Sequence, residues 1–278
     1  MKAFYEDRGE GLFVGIMTRY PFPLHVHEVV EIAVVQAGSC RMQIDGRSYR
    51  LGPWDAAVIF PLVPHSFDEL SPNSSGFSAF FPANMIQEFA NTFHSALPSE
   101  PVLHVDMADT EVRTAVRKLL QTAGEEPYAF RLAYLHLLLA GLLRGMRFVP
   151  TDAYSERGPA YRVVKYVYDH AFERISLSSA AHGLGVSESH LSHLFSQQLH
   201  VNFRRFVNAI RIDRAKALMS DPHVTLTGVC YNCGFENMRT FRRAFVHETG
   251  MLPTAFLQEL RTGGDLGGLK LPSNKAES

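Results

Sequence analysis

Cysteine is scarce: the 278 residues contain three, along with one tryptophan. So few thiols exclude a disulfide-stapled scaffold and point to reduced cysteines in a cytoplasmic setting. Long apolar runs are missing as well. The nearest approach, Leu132 to Leu143, is short and contains His136, which excludes a spanning helix of about 18 or more residues. The opening MKAFYEDRGEG is acidic and lacks the apolar core of a secretion signal. Net charge is also small, −1 from 27 basic and 28 acidic residues, so bulk charge does not announce a polyanionic partner. What is abundant is core material. With 46% hydrophobic and 20% charged residues, disordered, collagenous and coiled-coil classes are excluded, and the length predicts two domains.

Charge is unevenly placed. Cut after Gly158, the chain divides into halves of −5 and +4, the asymmetry of a sensing domain joined to a nucleic-acid-binding one. Residues 1–105 carry short β-branched and aromatic runs about 8–12 residues apart: Val29 to Val35, Arg41 to Ile44, Ser48 to Leu51, Ala56 to Phe60 and Phe77 to Phe81. This spacing predicts an antiparallel sandwich or barrel, with a hairpin turn at Asp45-Gly46. Residues 106–147 change to helical period, with helices over Thr110 to Thr122 and about Pro127 to Met146. The second is apolar almost all round, which requires burial against the sheet or a second subunit. Residues 148–159 read as a linker, 160–262 as all-helical, and the Gly-rich 263–278 as a disordered tail.

The helical half contains a repeat of about fifty residues. Ile175-Ser176-Leu177 matches Val224-Thr225-Leu226, Gly185-Val186 matches Gly234-Phe235, and Leu191 to Phe195 matches Phe241 to Phe245. Ser176 and Thr225 are N-caps, while Gly185 and Gly234 permit a sharp turn at positive φ. Ser187 and Asn237 cap second helices that bury Leu191, Leu194 and Phe195 in one copy and Phe241, Ala244 and Phe245 in the other. Facing outward are Ser189, Ser192 and His193, then Arg239, Arg242 and Arg243. Each copy is therefore a helix-turn-helix. The helix between them, FVNAIRIDRAKALMSD, is predicted to bury Phe206, Ile210, Ala217 and Leu218 and to hold the two second helices about one DNA turn, roughly 34 Å, apart.

The runs ISLSSAAHGLGVSESHLSHLF, RIDRAKALM and CGFENMRTFRRAFVHETGMLPTAF closely resemble the DNA-binding domain of the AraC/XylS family of bacterial transcription regulators. This resemblance spans about 100 residues. It departs at His200, where the family usually has the glycine that Gly250 supplies in the second copy, which predicts a strained C-cap in the first unit. The resemblance implies that Ser189, Ser192, His193, Arg239, Arg242 and Arg243 read base edges. Because a bidentate Arg–guanine pair discriminates by about 1–3 kcal/mol, the arginine-bearing second unit is expected to carry more specificity.

In the N-terminal half, LHVHEVVEIAVVQAGS places His25, His27 and Glu31 at one parity in an extended strand, and His65 follows in IFPLVPHSF. The spacing resembles the cupin motifs, implying that the four converge in a barrel mouth. The second motif is degraded, with Val63 where glycine is typical and Glu69 where asparagine is. Three imidazoles and a carboxylate suit Zn, Fe, Ni or Mn; a metal-free effector pocket and purely structural histidines are the other two readings, with Trp54, Tyr49 and Arg41 as possible additions to a pocket. The Cys230-x2-Cys233 pair has no second pair to complete a zinc site.

The expectation is thus an α+β two-domain chain: an antiparallel cupin or jelly-roll β-barrel with helices, then an all-α double helix-turn-helix. The resemblance implies a non-enzymatic activator that binds double-stranded DNA, answers a small-molecule effector such as a sugar, contacts RNA polymerase, and dimerises through 106–147. Its rivals are a metal-sensing regulator and a DNA-tethered metal cupin enzyme.

Overall fold

Runs of β-branched and aromatic residues bounded by turn formers dominate the N-terminal half, and they fold as short antiparallel strands. The computed structural model describes residues 11–16, 21–121, 127–151, 159–221 and 223–262. These divide into two units, one within residues 10–161 and one running from residue 162 onward.

The first unit holds β1 (Phe13–Ile16), β2 (Phe22–His25), β3 (Val29–Ala37), β4 (Cys40–Ile44), β5 (Arg47–Leu51), β6 (Asp55–Ile59), β7 (His65–Leu70), β8 (Ser75–Pro82), α1 (Gln87–Ser95), β9 (Ala96–Pro98), β10 (Val102–His104), α2 (Thr110–Gln121), α3 (Tyr128–Leu143) and β11 (Phe148–Pro150). One sheet has the order β1-β8-β3-β6-β10 and the other β2-β7-β4-β5. All pairings are antiparallel. The two antiparallel sheets are of the expected jelly-roll type, not closed into a full barrel, with register shifts between Phe22 and His25, Arg41 and Met42, and Val35 and Ala37. Strand β3 is central and buried from Val29 to Val35, a continuous run that only a strand covered on both faces tolerates. Glu31 is the one charged side chain within it.

Asp45 and Gly46 both take positive φ, 48° and 78°, in the tight β4–β5 hairpin. In α3, Leu135, Leu138, Leu139, Leu142 and Leu143 are buried, while Tyr128 and Phe130 remain more than half exposed. The linker expected over 148–159 begins as β11, paired with β9: Phe148 and Val149 are apolar residues that a ladder satisfies better than solvent. Residues 152–158 and the tail 263–278 lie outside the described residues.

The second unit holds α4 (Pro159–His170), α5 (Leu177–Leu184), α6 (Glu188–His193) continuing into a π-turn (Leu194–Gln198), α7 (Phe203–Met219), α8 (Leu226–Asn232), α9 (Met238–Thr249) and α10 (Pro253–Thr262). The core of the second repeat is aromatic: Phe241 meets Phe235 and Phe245, and Phe245 meets Phe256, at centroid separations of 5.3–5.7 Å. In α7 the buried set is Phe206, Val207, Ala209, Ile210, Ile212, Ala215 and Met219. Ala217 is exposed, against expectation, because the apolar stripe passes through Ile212, Ala215 and Met219.

Candidate DNA interface and candidate metal centre

Each helix of the repeat starts on a side-chain oxygen that satisfies an otherwise orphaned N–H. Ser176 accepts from Ser179 N at 3.0 Å, Ser187 from His190 N at 3.1 Å, Thr225 from Gly228 N at 3.1 Å and Asn237 from Thr240 N at 2.9 Å. The turns are made by Gly185 at φ 69° and Gly234 at φ 79°. Outward from α6 stand Ser189, Ser192 and His193, and from α9 Arg239, Arg242 and Arg243, all exposed. None of these three arginines forms an ion pair among the described residues, so their five-donor forks stay free for phosphate or base edges. Arg174 and Glu236 pair at 2.8 Å and tie the segment before the first unit to the turn of the second.

The two copies differ at their ends. His200 sits in the left-handed region at φ 51°, where Gly250 occupies the second copy at φ 74°, as the departure from the glycine pattern predicted. Before it, α6 loosens into the π-turn, with Leu199 N bonding Leu194 O. That turn leaves Ser196, Gln197 and Gln198 exposed beside the outward face of α6. Sequence reasoning missed these polar side chains, since a π-turn carries no periodic signature.

His25, His27, Glu31 and His65 do converge, with ligand atoms all within 4.8 Å of one another. Each of the four residues is at most 1% exposed. They come from different places: His25 ends β2 opposite His65 at the start of β7, His27 lies in the β2–β3 connection, and Glu31 belongs to the other sheet. Every imidazole is aimed by its own backbone. The Nδ1 atoms donate to Pro23 O at 3.0 Å, Val29 O at 2.9 Å and Val63 O at 2.9 Å respectively. A ring that donates from Nδ1 presents Nε2 as a lone pair when neutral.

Those Nε2 atoms face the carboxylate: His65 is 2.9 Å and His27 3.2 Å from Glu31 Oε2, while His25 Nε2 has no hydrogen-bond partner among the described residues. Burial pushes the Glu31 carboxyl upward, but the hydrogen bonds and charge of His27 and His65 outweigh this and hold it well below the usual carboxylate range. Burial, reinforced by His65 and His27, pushes the His25 imidazole well below its ordinary value. The buried His25 Nε2, without a hydrogen-bond partner among the described residues beside a carboxylate and two further imidazoles, is a lone pair that a cation at the centre would engage. The donor set therefore fits a divalent transition metal.

The other proposed additions lie elsewhere. Arg41 pairs with Glu69 and Tyr49 donates to Glu100, all at the surface. Trp54 stacks beneath Arg113, whose guanidinium carbon is 3.9 Å from the ring centroid. Cys230 and Cys233 are fully buried in the aromatic core, and burial pushes the Cys233 thiol up to about 12. That is a packing role.

The chain is similar to known proteins. Residues 10–139 match the AraC-like ligand binding domain and residues 180–259 a helix-turn-helix domain. The chain is 23% identical to YobQ, an HTH-type transcriptional regulator of Bacillus subtilis (strain 168), over 85% of this chain and 89% of YobQ. It is 28% identical over 151 residues to the HTH-type transcriptional regulator SAS0078 of Staphylococcus aureus (strain MSSA476), covering 52% of this chain and spanning only about a fifth of that protein. ToxT from Vibrio cholerae strain SCE256, solved with an unsaturated fatty acid bound, is 13% identical with a TM-score of 0.41 over 93% of this chain and 100% of ToxT.

Proposed function

This chain belongs to the AraC family of DNA-binding transcription regulators, and from that premise we propose that its sensor domain holds a divalent transition-metal ion at His25, His27, Glu31 and His65. The ion is the signal, or a fixed part, of a regulator whose two helix-turn-helix units bind double-stranded DNA. The observation that carries this reading is the aim of three backbone-pinned imidazoles, one of them unpartnered, at a single buried carboxylate. Bound there, a metal supplies the positive charge that the lone pairs and carboxylate lack.

The same geometry argues against a sugar at these four residues, since atoms within 4.8 Å of one another enclose an ion rather than a sugar ring. A metal whose ligands are at most 1% exposed is also poorly placed to meet a substrate, which favours a sensor over a cupin enzyme. Two further parts of the reading rest on the family: homodimerisation through α2 and α3, supported by the exposed Tyr128 and Phe130, and activation through RNA polymerase.

Among the described residues no helix is long and apolar enough to cross a membrane.

The test is elemental analysis of the purified full chain beside His27→Ala, joined to binding of duplex selected from a random DNA pool. Near one equivalent of metal, lost in the variant, with DNA affinity changing on chelation, is the expected outcome for a metal signal. One equivalent without a change in affinity makes the ion a fixed part of the sensor. No metal in the unmutated chain overturns the reading, and a reporter fused to the selected site separates activation from repression.

A further inference from the structure

Away from the histidine cluster, the first unit has a cavity of about 480 Å³ against α2, lined by Gln36, Trp54, Arg113, Thr114, Arg117 and Leu120 among others. This volume falls in the range of small-molecule sites. None of the four histidine-cluster residues lines it, and among the described residues no acidic side chain does.

Its wall is rigid. Trp54 is held at φ 66°, a conformation rare for a bulky side chain. Its N–H donates to Val35 O at 2.6 Å, and its carbonyl accepts from Val105 N at 2.8 Å. Arg113 is fixed as well: Nε donates to Asp106 O at 3.0 Å and one terminal nitrogen to Val105 O at 3.2 Å, while the guanidinium lies on the indole. The other terminal nitrogen of Arg113 has no hydrogen-bond partner among the described residues. One helical turn on, Arg117 is exposed and has no hydrogen-bond or ion-pair partner among the described residues. Trp54 and Leu120 supply apolar surface beside these donors.

We propose that this cavity is a second effector site, which takes a small organic carboxylate: the anion between Arg117 and the free edge of Arg113, its apolar body against Leu120 and Trp54. Two guanidinium groups with no compensating acid favour an anion, and the apolar wall favours one carried on a hydrocarbon body over a bare ion. The site is independent of the metal reading.

Trp54 is the only tryptophan in the chain, so its fluorescence reports this cavity alone. The probes are cyclohexanecarboxylate, its neutral analogue cyclohexylmethanol, and inorganic phosphate, titrated into the full chain with calorimetry in parallel. A saturable fluorescence change at one equivalent with the carboxylate, weakened at least tenfold in Arg117→Gln and absent with cyclohexylmethanol, is the expected result. Arg117 is exposed, so the variant keeps the fold, as its far-UV spectrum would show. Equal binding of the neutral analogue, tighter binding of phosphate than of the carboxylate, an unchanged affinity in Arg117→Gln, or no saturation overturns the proposal.

Discussion

Replacing Gly234 with alanine tests how the second helix-turn-helix is built, and Gly185→Ala is its matched control. Both glycines occupy the left-handed region, at 79° and 69°, so both substitutions pay the same backbone strain, about 1 kcal/mol for a Cβ held at positive φ. Their surroundings differ. A Cβ on Gly185 meets nothing within 4 Å, whereas one on Gly234 would lie 2.6 Å from Phe172 O, 2.9 Å from its carbonyl carbon and 3.0 Å from its Cα. These are backbone atoms, which cannot swing aside as a side chain does, so overpacking adds about 1–3 kcal/mol. Gly185→Ala should therefore destabilise the helical half by about 1 kcal/mol and Gly234→Ala by about 2–4 kcal/mol. Urea unfolding followed by far-UV circular dichroism measures the difference, with Trp54 fluorescence as the reference for the sensor half. If Gly185→Ala costs as much as Gly234→Ala, the close approach to Phe172 is not what selects glycine at the second turn.

His200→Gly removes a Cβ from the left-handed region and should stabilise the first unit by roughly 0.5–1 kcal/mol, read as a higher urea midpoint at unchanged slope. Asn237→Ala deletes the cap of α9 and should cost about 1 kcal/mol of stability in the same assay. Arg243→Ala should weaken binding to a selected duplex by about 1–3 kcal/mol and relax preference at one base pair, while Ser192→Ala should cost less in a mobility-shift titration; the reverse order would refute the assignment of specificity to the second unit. Burial pushes the Cys40 and Cys233 thiols up to about 12, so at pH 8 both stay protonated and should react with a thiol reagent only after unfolding. A native-state reaction of either thiol would contradict their placement.

The long strands of the sensor were legible because alternating or continuous apolar runs end at glycine and proline, and β3 to β6 and β8 fall within a few residues of their expected bounds. The three- and four-residue strands β1, β2, β9, β10 and β11 were not, since so short a run carries no period and three of them, β2, β9 and β11, contain prolines from the punctuation that suggested loops. Helix α1 was missed for a related reason: it has one buried residue, Phe93, and hence no stripe. In the helical half the caps, turns and outward-facing residues followed from residue chemistry repeated at a fixed interval. The phase of α7 did not, because Ile210, Ile212 and Ala217 are all apolar and only tertiary packing decides which face inward. At the histidine cluster, residue types and parity were readable, but the carbonyls that aim each ring were not: Pro23, Val29 and Val63 contribute backbone, which leaves no trace in side-chain pattern.

Those carbonyls make each imidazole a lever bolted to its own peptide segment. The pins run only two residues along the chain, from His25 to Pro23, His27 to Val29 and His65 to Val63, so no ring turns without carrying its strand end with it. A displacement at the three Nε2 tips therefore acts through these hydrogen bonds on β2, on the β2–β3 connection and on the start of β7, while Glu31 belongs to the opposite sheet. Soft side chains would have absorbed that displacement locally. These levers pass it to the scaffold.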